Sequence, residues 1–247
     1  MRGLLSALTF LTIAPLPGRA WQAGDAGRAV PWFPVVGLLV GAALAGVDWG
    51  ARALWDPLVA AALVIAASVL LTGGLHLDGL MDTADAFFSH GDRARMLAIM
   101  KDSRAGALGV AAAICVLLAK FAAYAHLKGP GRWQIIVAAA VLGRLGIAFG
   151  LFAFRSAKET GLGAVFVQET RGRHFALAMV MALGITFWVL RWQGLVLVGV
   201  PIVLALLAGA YASRKLGGLT GDVCGAINEL AELAVLLLAP LAIHWGS

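Results

Sequence analysis

Charged residues are scarce in this sequence. Only 13% of its 247 residues are Asp, Glu, Lys or Arg, and 61% are hydrophobic. Soluble domains carry about 25% charged residues, so the deficit argues against an ordinary soluble domain. Long apolar runs explain it, because a helix that crosses a bilayer needs about 20 apolar residues. The chain has room for several such helices, and we expect a single integral membrane domain over residues 1–247.

Cysteines are also few, and two common enzyme signatures are missing. Cys115 and Cys224 form neither a C-x-x-C motif nor a disulfide framework, which favours free thiols in a reducing setting. There is no G-x-x-x-x-G-K-[ST] loop and no G-x-S-x-G motif. The basic residues lie between apolar runs without the interleaved aromatic residues of nucleic-acid binders. We therefore expect a lipid bilayer, and no nucleic acid, among the partners.

The apolar runs predict an all-α bundle with about seven membrane spans. Residues 1–16 are too short an apolar stretch to span, and we expect a retained interfacial or re-entrant helix there. Gly37 and Gly41 form a G-x-x-x-G pattern, which is typical of close helix packing. The predicted spans are 32–51, 57–75, 106–127, 133–153, 174–191, 194–212 and 228–245.

The basic residues predict the orientation of these spans. With the N-terminus inside, 13 of the 19 Lys and Arg residues fall in inside segments and 4 in outside segments. That bias follows the positive-inside rule. The inside connections, 76–105, 154–173 and 213–227, are also the long ones. We expect the N-terminus and a functional site to face the cytoplasm, with the chain in the cytoplasmic (inner) membrane.

Three aspartates cluster at the start of the first inside connection. Asp78, Asp82 and Asp85 are four and three residues apart, so a helix would place them on one face. Carboxylates within apolar sequence at a membrane boundary are costly and usually functional. Their oxygen atoms suit Mg²⁺ or Mn²⁺. A solvated loop is the alternative, but the surrounding Leu, Met, Ala and Phe residues favour a metal site.

A second polar cluster, Lys101-Asp102-Ser103-Arg104, stands just before the third span. Its two cations, its hydroxyl group and the helix that follows suit phosphate oxygens. An N-cap at Asp102 or Ser103 with basic residues at the membrane interface explains the segment equally well.

A third group of acids accompanies a glycine-rich segment before the last span. Asp222, Glu229 and Glu232 share a helix face if the helix begins near Asp222. A favourable interaction with the helix dipole explains the position of Asp222 at the start of the helix well, but it explains the position of Glu232 poorly. Arg144, inside the fourth span, is a candidate to neutralise substrate phosphate or to pair with one of these acids.

Two further features have both a functional and a structural interpretation. His76, two residues before Asp78, is either a base or a structural histidine. The segment 158–163 either covers the site or is a plain connection.

Ordered motifs run along nearly the whole chain. F-L-T at 10–12 leads to P-L-P at 15–17, F-P-V-V-G follows at 33–37, and T-G-D begins at 220. Between them stand L-H-L-D-G-L-M-D-T-A-D at 75–85 and M-K-D-S-R at 100–104, which together are highly specific. In these motifs the chain resembles the cobalamin synthase family, the adenosylcobinamide-GDP ribazoletransferases. It departs from them at Ile13, where the family often has a basic residue.

The resemblance implies the last assembly step of the cobalamin nucleotide loop. Adenosylcobinamide-GDP and α-ribazole, or its 5′-phosphate, would be joined with release of GMP in a Mg²⁺-dependent reaction. The implied metal ligands are Asp78, Asp82, Asp85 and Asp222. A second copy of the chain and other enzymes of the corrinoid pathway are left open as partners.

The resemblance also distributes roles among the remaining polar residues. Catalysis would fall to Asp82, Asp222 and Glu229, the last two completing the metal site or activating the ribazole hydroxyl. The residues implied to bind substrate phosphate are Lys101, Ser103, Arg104 and Arg144. Further candidates for the site are His76, Asp102 and Glu232.

Two other functions compete with this one. A CDP-alcohol phosphotransferase also uses membrane aspartates and Mg²⁺, but its D-G-x-x-A-R signature fails at the Asp82-Thr83 pair that follows Asp78-Gly79. A cation transporter would carry acids near the middle of several spans, whereas here they cluster at span ends on one side.

Overall fold

The computed structural model describes residues 2–14 and 22–242. In these residues the chain forms helices and no strand, which confirms the all-α prediction. The short helices are α1 (Arg2–Leu11), α2 (Asp25–Ala29), α5 (Leu75–Phe88), α6 (Arg93–Ile99) and α9 (Leu162–Glu169). The longer ones are α3 (Phe33–Leu54), α4 (Pro57–Thr72), α7 (Ala107–His126), α8 (Arg132–Ala153), α10 (Gly172–Leu197), α11 (Gly199–Leu216) and α12 (Gly221–Ala242).

Helix α1 agrees with the predicted short N-terminal helix, which is not long enough to span. The P-L-P motif at 15–17 and Arg19, which belongs to the inside census, lie outside the described residues, as does the end of the predicted last span.

Six helices in the described part of the chain are long and apolar enough to cross a membrane. Helices α4 and α5 pass the same test only as a pair, and they meet at a bend of 90°. At the bend, Gly73 and Gly74 have φ values of 60° and 71°, in the left-handed region where glycine ends a helix. The predicted second span therefore stops at Thr72, and the aspartate motif begins a new helix.

Two other span boundaries differ from the prediction. Helix α12 begins at Gly221, seven residues early, because the Thr220 hydroxyl accepts a hydrogen bond from the Val223 N–H at 3.2 Å and caps it. The helical backbone breaks at Arg191 (φ 56°), where the fifth span was predicted to end. Helical residues nevertheless continue to Leu197, so the sixth span begins at Gly199 rather than at 194.

Helix α8 is the centre of the bundle. Its most apolar stretch is 89% buried, and α3, α10, α11 and α12 pack around it. A Cβ atom added at Gly37 would lie 2.6 Å from the Ala140 carbonyl oxygen, and one at Gly41 would lie 2.8 Å from the Val137 Cα. These glycines let α3 approach the α8 backbone directly, which confirms the packing role predicted for the G-x-x-x-G pattern.

Arg93 ties together the three connections predicted to lie inside. Its Nε donates to the Leu216 carbonyl at 2.7 Å, and its Nη2 donates to the Ala157 carbonyl at 3.1 Å. The Leu219 N–H donates to the Arg155 carbonyl, and the Ala157 N–H donates to the Leu219 carbonyl. These bonds fix the segment before α12 against the segment before α9, beside the aspartates of α5.

Candidate active site

Helix α5 carries the three aspartates as predicted. Asp78, Asp82 and Asp85 all fall within one continuous helix, and their spacing places them on one face. Asp78 is exposed, whereas Asp82 and Asp85 are partly buried.

Two glycines bring α12 against α5 and join the first and third acidic groups. A Cβ atom at Gly79 would lie 2.7 Å from the Asp222 carbonyl oxygen, and one at Gly225 would lie 2.9 Å from the His76 carbonyl oxygen. The two backbones are therefore in contact at the start of α12. As a result, Asp222 lies next to the aspartates of α5, although 137 residues separate it from Asp85 in the sequence.

Negative charge is in excess where these helices meet. The Asp82 carboxylate is repelled by Asp78, Asp222 and Asp85, and among the residues that the structure describes Lys158 is the cation that opposes this repulsion. The Lys158 Nζ lies 3.3 Å from Asp222 Oδ2. One lysine does not balance four carboxylates, so the arrangement attracts a further cation.

The carboxylate oxygens of these aspartates fit Mg²⁺ if water and substrate phosphates supply its other ligands. Among the described residues, no three His, Cys, Asp or Glu side chains are arranged to hold a metal ion by themselves. Mg²⁺, however, is commonly bound by one or two carboxylates, with water and substrate phosphates completing its coordination. Asp78, Asp82 and Asp222 suit such a shared site, and Mg²⁺ stays a prediction.

Asp85 has a structural role that the sequence did not indicate. Its two carboxylate oxygens accept hydrogen bonds from the Gly106 and Gly109 N–H groups, both at 2.8 Å. These N–H groups belong to the first turn of α7, where they lack partners within the helix. Asp85 thus caps α7. Each of its oxygens keeps a lone pair, so its role as a metal ligand remains a prediction.

Replacing Gly109 with alanine should damage this cap. The added Cβ would collide with the Asp85 carboxylate and lie 2.7 Å from the Met81 carbonyl oxygen. We expect a loss of about 1–3 kcal/mol of unfolding free energy, together with reduced activity, in a denaturant titration and a turnover assay. Gly184→Ala is the control, because a Cβ there meets nothing within 4 Å. Equal behaviour of the two variants would contradict the capping role.

The K-D-S-R segment borders Asp85 but does not cap α7. The N-cap position is Gly106, which corrects the expectation of Asp102 or Ser103. Asp102 instead pairs with Arg104, whose Nη2 lies 2.7 Å from Asp102 Oδ2. Hydrogen bonds from the side chain and the backbone N–H of Arg104 lower the pKa of Asp102 to about 2. Arg104 remains exposed, and so do Lys101 and Ser103, so substrate can reach all three.

A separate network of buried charges lies deeper in the bundle. The Lys120 Nζ donates to Glu229 Oε2 at 2.7 Å and to Glu232 Oε2 at 2.6 Å. The Arg144 Nη1 donates to Glu232 Oε1, which also accepts from Asn228 Nδ2 at 3.1 Å. Two cations thus face two carboxylates, and the network is neutral as a whole.

The network changes the interpretation of three predicted site residues. Arg144 is 1% exposed and paired with Glu232, which argues against a role in binding substrate phosphate and favours the alternative of an ion pair. Glu229 lies two turns along α12 from Asp222, about 10 Å by helix geometry, and its carboxylate contacts Lys120. The geometry therefore supports neither Glu229 nor Glu232 as a member of the acidic cluster.

His76 lies between the acidic cluster and the buried network. It is 3% exposed, and its Nε2 atom has no hydrogen-bond partner among residues 2–14 and 22–242. Arg144 and Glu232 are both close enough to act on it electrostatically. Burial favours the structural interpretation, and its role as a base stays a prediction.

The sequence did not reveal two charged residues that pair with the predicted acids. Lys120 lies in an apolar helix as an isolated cation, which by itself signals a buried acid elsewhere. Lys158 lies in the segment 158–163, for which the sequence leaves open whether it covers the site, and the structure brings that segment to the site. A Cβ atom at Gly163 would lie 3.0 Å from the Gly221 nitrogen, so the segment 158–163 borders Asp222.

Comparison with known proteins gives a consistent result. The family described as Cobalamin-5-phosphate synthase matches residues 3–240. A protein of Roseiflexus sp. (strain RS-1) is 40% identical over 96% of this chain and 88% of its own length. One from Desulfitobacterium hafniense (strain Y51) is 39% identical over 96% of both chains, and one from Chlorobium phaeovibrioides is 35% identical over 98% of both. All three are named adenosylcobinamide-GDP ribazoletransferase. No solved structure matches the chain significantly.

Proposed function

The chain belongs to the cobalamin-5-phosphate synthase family, and from this we propose that it joins adenosylcobinamide-GDP to α-ribazole, or to its 5′-phosphate, and releases GMP. The proposal is supported above all by the contact of Gly79 with the start of α12, which gathers Asp78, Asp82 and Asp222 beside Lys158. Together with Asp85, these are four acids beside one cation, which suits a pyrophosphate that arrives with Mg²⁺.

In the proposed reaction, a ribose hydroxyl of the ribazole attacks the phosphorus that carries the cobinamide. The new P–O bond forms while the bond to the bridging oxygen breaks, and that oxygen leaves on GMP. A carboxylate takes the hydroxyl proton, and Asp82 and Asp222 are the candidates. The residues that would hold Mg²⁺ are Asp78, Asp82 and Asp222, and Asp85 is a further candidate ligand. The bound ion would neutralise the pyrophosphate oxygens and stabilise the leaving group.

The exposed basic residues have a matching role. Lys101 and Arg104 precede α7, and Arg104 lines the same pocket as Asp85, where the two side chains would hold the departing phosphate. Arg104 would exchange Asp102 for a phosphate oxygen on binding. Asp222 would hold the metal in place of its present contact with Lys158.

We place this site on the cytoplasmic side of the inner membrane. Basic residues are concentrated in the connections that carry the site, and this bias supports an orientation with the site facing the cytoplasm. Substrates that carry a nucleotide would then reach it from the cytosol.

The test is product formation by the purified chain in proteoliposomes. With adenosylcobinamide-GDP, α-ribazole and Mg²⁺ present, we expect equal amounts of GMP and of the joined corrinoid by chromatography. Omitting α-ribazole or adding EDTA should stop both. Release of GMP without α-ribazole would contradict a transferase, and full activity in EDTA would contradict the metal.

The same preparation tests the two competing functions. A CDP-alcohol phosphotransferase would release CMP from a CDP-alcohol, and a transporter would carry cations across the vesicle. Glu229 and Glu232 do lie within a span, as a transporter would require, but both are paired with Lys120. We therefore expect neither activity.

A further inference from the structure

A cavity of about 220 Å³ adjoins the acidic cluster. Within the described part of the chain, its acidic lining residues are Asp78 and Asp222, and His76 also contributes to the lining. The rest of the wall is largely apolar and comes from five helices, α1, α5, α8, α9 and α12. The apolar side chains that form it are Phe10, Leu75, Ile147, Leu151, Leu162 and Phe166.

The apolar wall is well supported by the surrounding structure. Ile147 and Leu151 are 3% and 4% exposed, and Phe166 is 1% exposed. The ring of Phe166 packs against that of Phe10 with centroids 4.4 Å apart. Side chains held in this way keep their shape, so the cavity is a preformed site rather than a surface irregularity.

Size and polarity restrict what the cavity can take. Sites for drug-sized ligands have volumes of roughly 300–1,000 Å³, so this cavity suits a single ring system and excludes a corrinoid. Guanine would leave its polar edges without partners against the apolar wall, which is costly. A phosphate would meet the same apolar wall and two carboxylates that repel it. A flat, apolar, bicyclic aromatic group satisfies all of these constraints.

We propose that this cavity binds the benzimidazole base of α-ribazole and selects the nucleoside by the size of that base. The inference rests on the proposed function. With the base against Ile147, Leu151 and Phe166, the ribose lies at the acidic end, beside Asp78 and Asp222, where its hydroxyl is needed. Leu151 is then a specificity-determining residue that does not touch the reacting atoms.

Filling the cavity tests the proposal. In Leu151→Phe we expect the KM for α-ribazole to rise by about 10-fold or more, while the KM for adenosylcobinamide-GDP stays unchanged. The substitution should raise the KM less for a ribazole analogue without the two methyl groups on its base, because that base needs less space. Leu207→Phe is the control: Leu207 is 65% exposed on the surface of α11, and the same substitution there should alter neither KM.

A second measurement needs no variant. Free 5,6-dimethylbenzimidazole should inhibit the wild-type protein competitively against α-ribazole and not against adenosylcobinamide-GDP. Two results would overturn the proposal and assign the cavity to adenosylcobinamide-GDP. One is that the free base competes with adenosylcobinamide-GDP instead. The other is that Leu151→Phe raises only the KM for adenosylcobinamide-GDP. If the wild-type protein forms no product, the proposed function itself has failed, which is a different result from an active protein with the wrong pattern of KM values.

Discussion

Replacing Asp82 with asparagine should lower turnover by about 100-fold or more without destabilising the protein. The amide has nearly the same shape as the carboxylate but loses the charge that holds a metal ion and the basic oxygen that accepts a proton. Because Asp78, Asp85 and Asp222 all repel the Asp82 carboxylate, removing this charge should leave the unfolding free energy equal or higher. A higher unfolding free energy is common when a residue needed for function, but unfavourable for stability, is replaced.

The measurement is GMP release at saturating Mg²⁺, with thermal unfolding recorded on the same preparation. Asp92→Asn is the matched control, because Asp92 is an exposed carboxylate that caps α6 by accepting from the Arg95 N–H at 2.8 Å. Asparagine caps a helix about as well, so this variant should keep full activity. Near-normal turnover by Asp82→Asn would remove that residue from the mechanism.

Replacing Glu232 with alanine should destabilise the bundle by about 3–5 kcal/mol, the usual cost of breaking a buried ion pair. Glu232 is 5% exposed and accepts from both Lys120 and Arg144. Without it, Arg144 is left buried with no carboxylate, while Lys120 keeps Glu229. The loss should be seen in a denaturant titration of the detergent-solubilised protein, for which Glu159→Ala, at an exposed loop position, is the control.

A double replacement separates lost charge balance from lost packing. Changing Arg144 to Met together with Glu232 to Leu removes one cation and one anion, so the pair of Lys120 and Glu229 stays neutral. Apolar replacement of a whole buried pair is often neutral or stabilising, and we expect the double variant to recover most of the stability lost in Glu232→Ala. If it is no more stable than that single variant, the network does not act through charge pairing.

The apolar runs alone determined much of this architecture. A run of about 20 apolar residues has few alternatives to a spanning helix, so α7 and α8 lie within one residue of their predicted bounds. The second span departs most from its prediction, because two consecutive glycines in the left-handed conformation turn the chain by 90°. Glycine also occurs inside spans, as at Gly37 and Gly41, so its presence did not reveal the turn.

The sequence by itself placed Asp78, Asp82 and Asp85 on one helix face, because spacings of four and three are a local property of any helix. It also placed Asp222, Glu229 and Glu232 on one face of α12, and for that reason it could not separate them. Only the tertiary structure did so. The contact between Gly79 and Gly225 sets which level of α12 meets α5, and Asp222 joins the aspartates there. About two and three turns further along, Glu229 and Glu232 meet Lys120 of α7 and Arg144 of α8. The depth at which one helix crosses another depends on packing between distant segments, which no local spacing encodes.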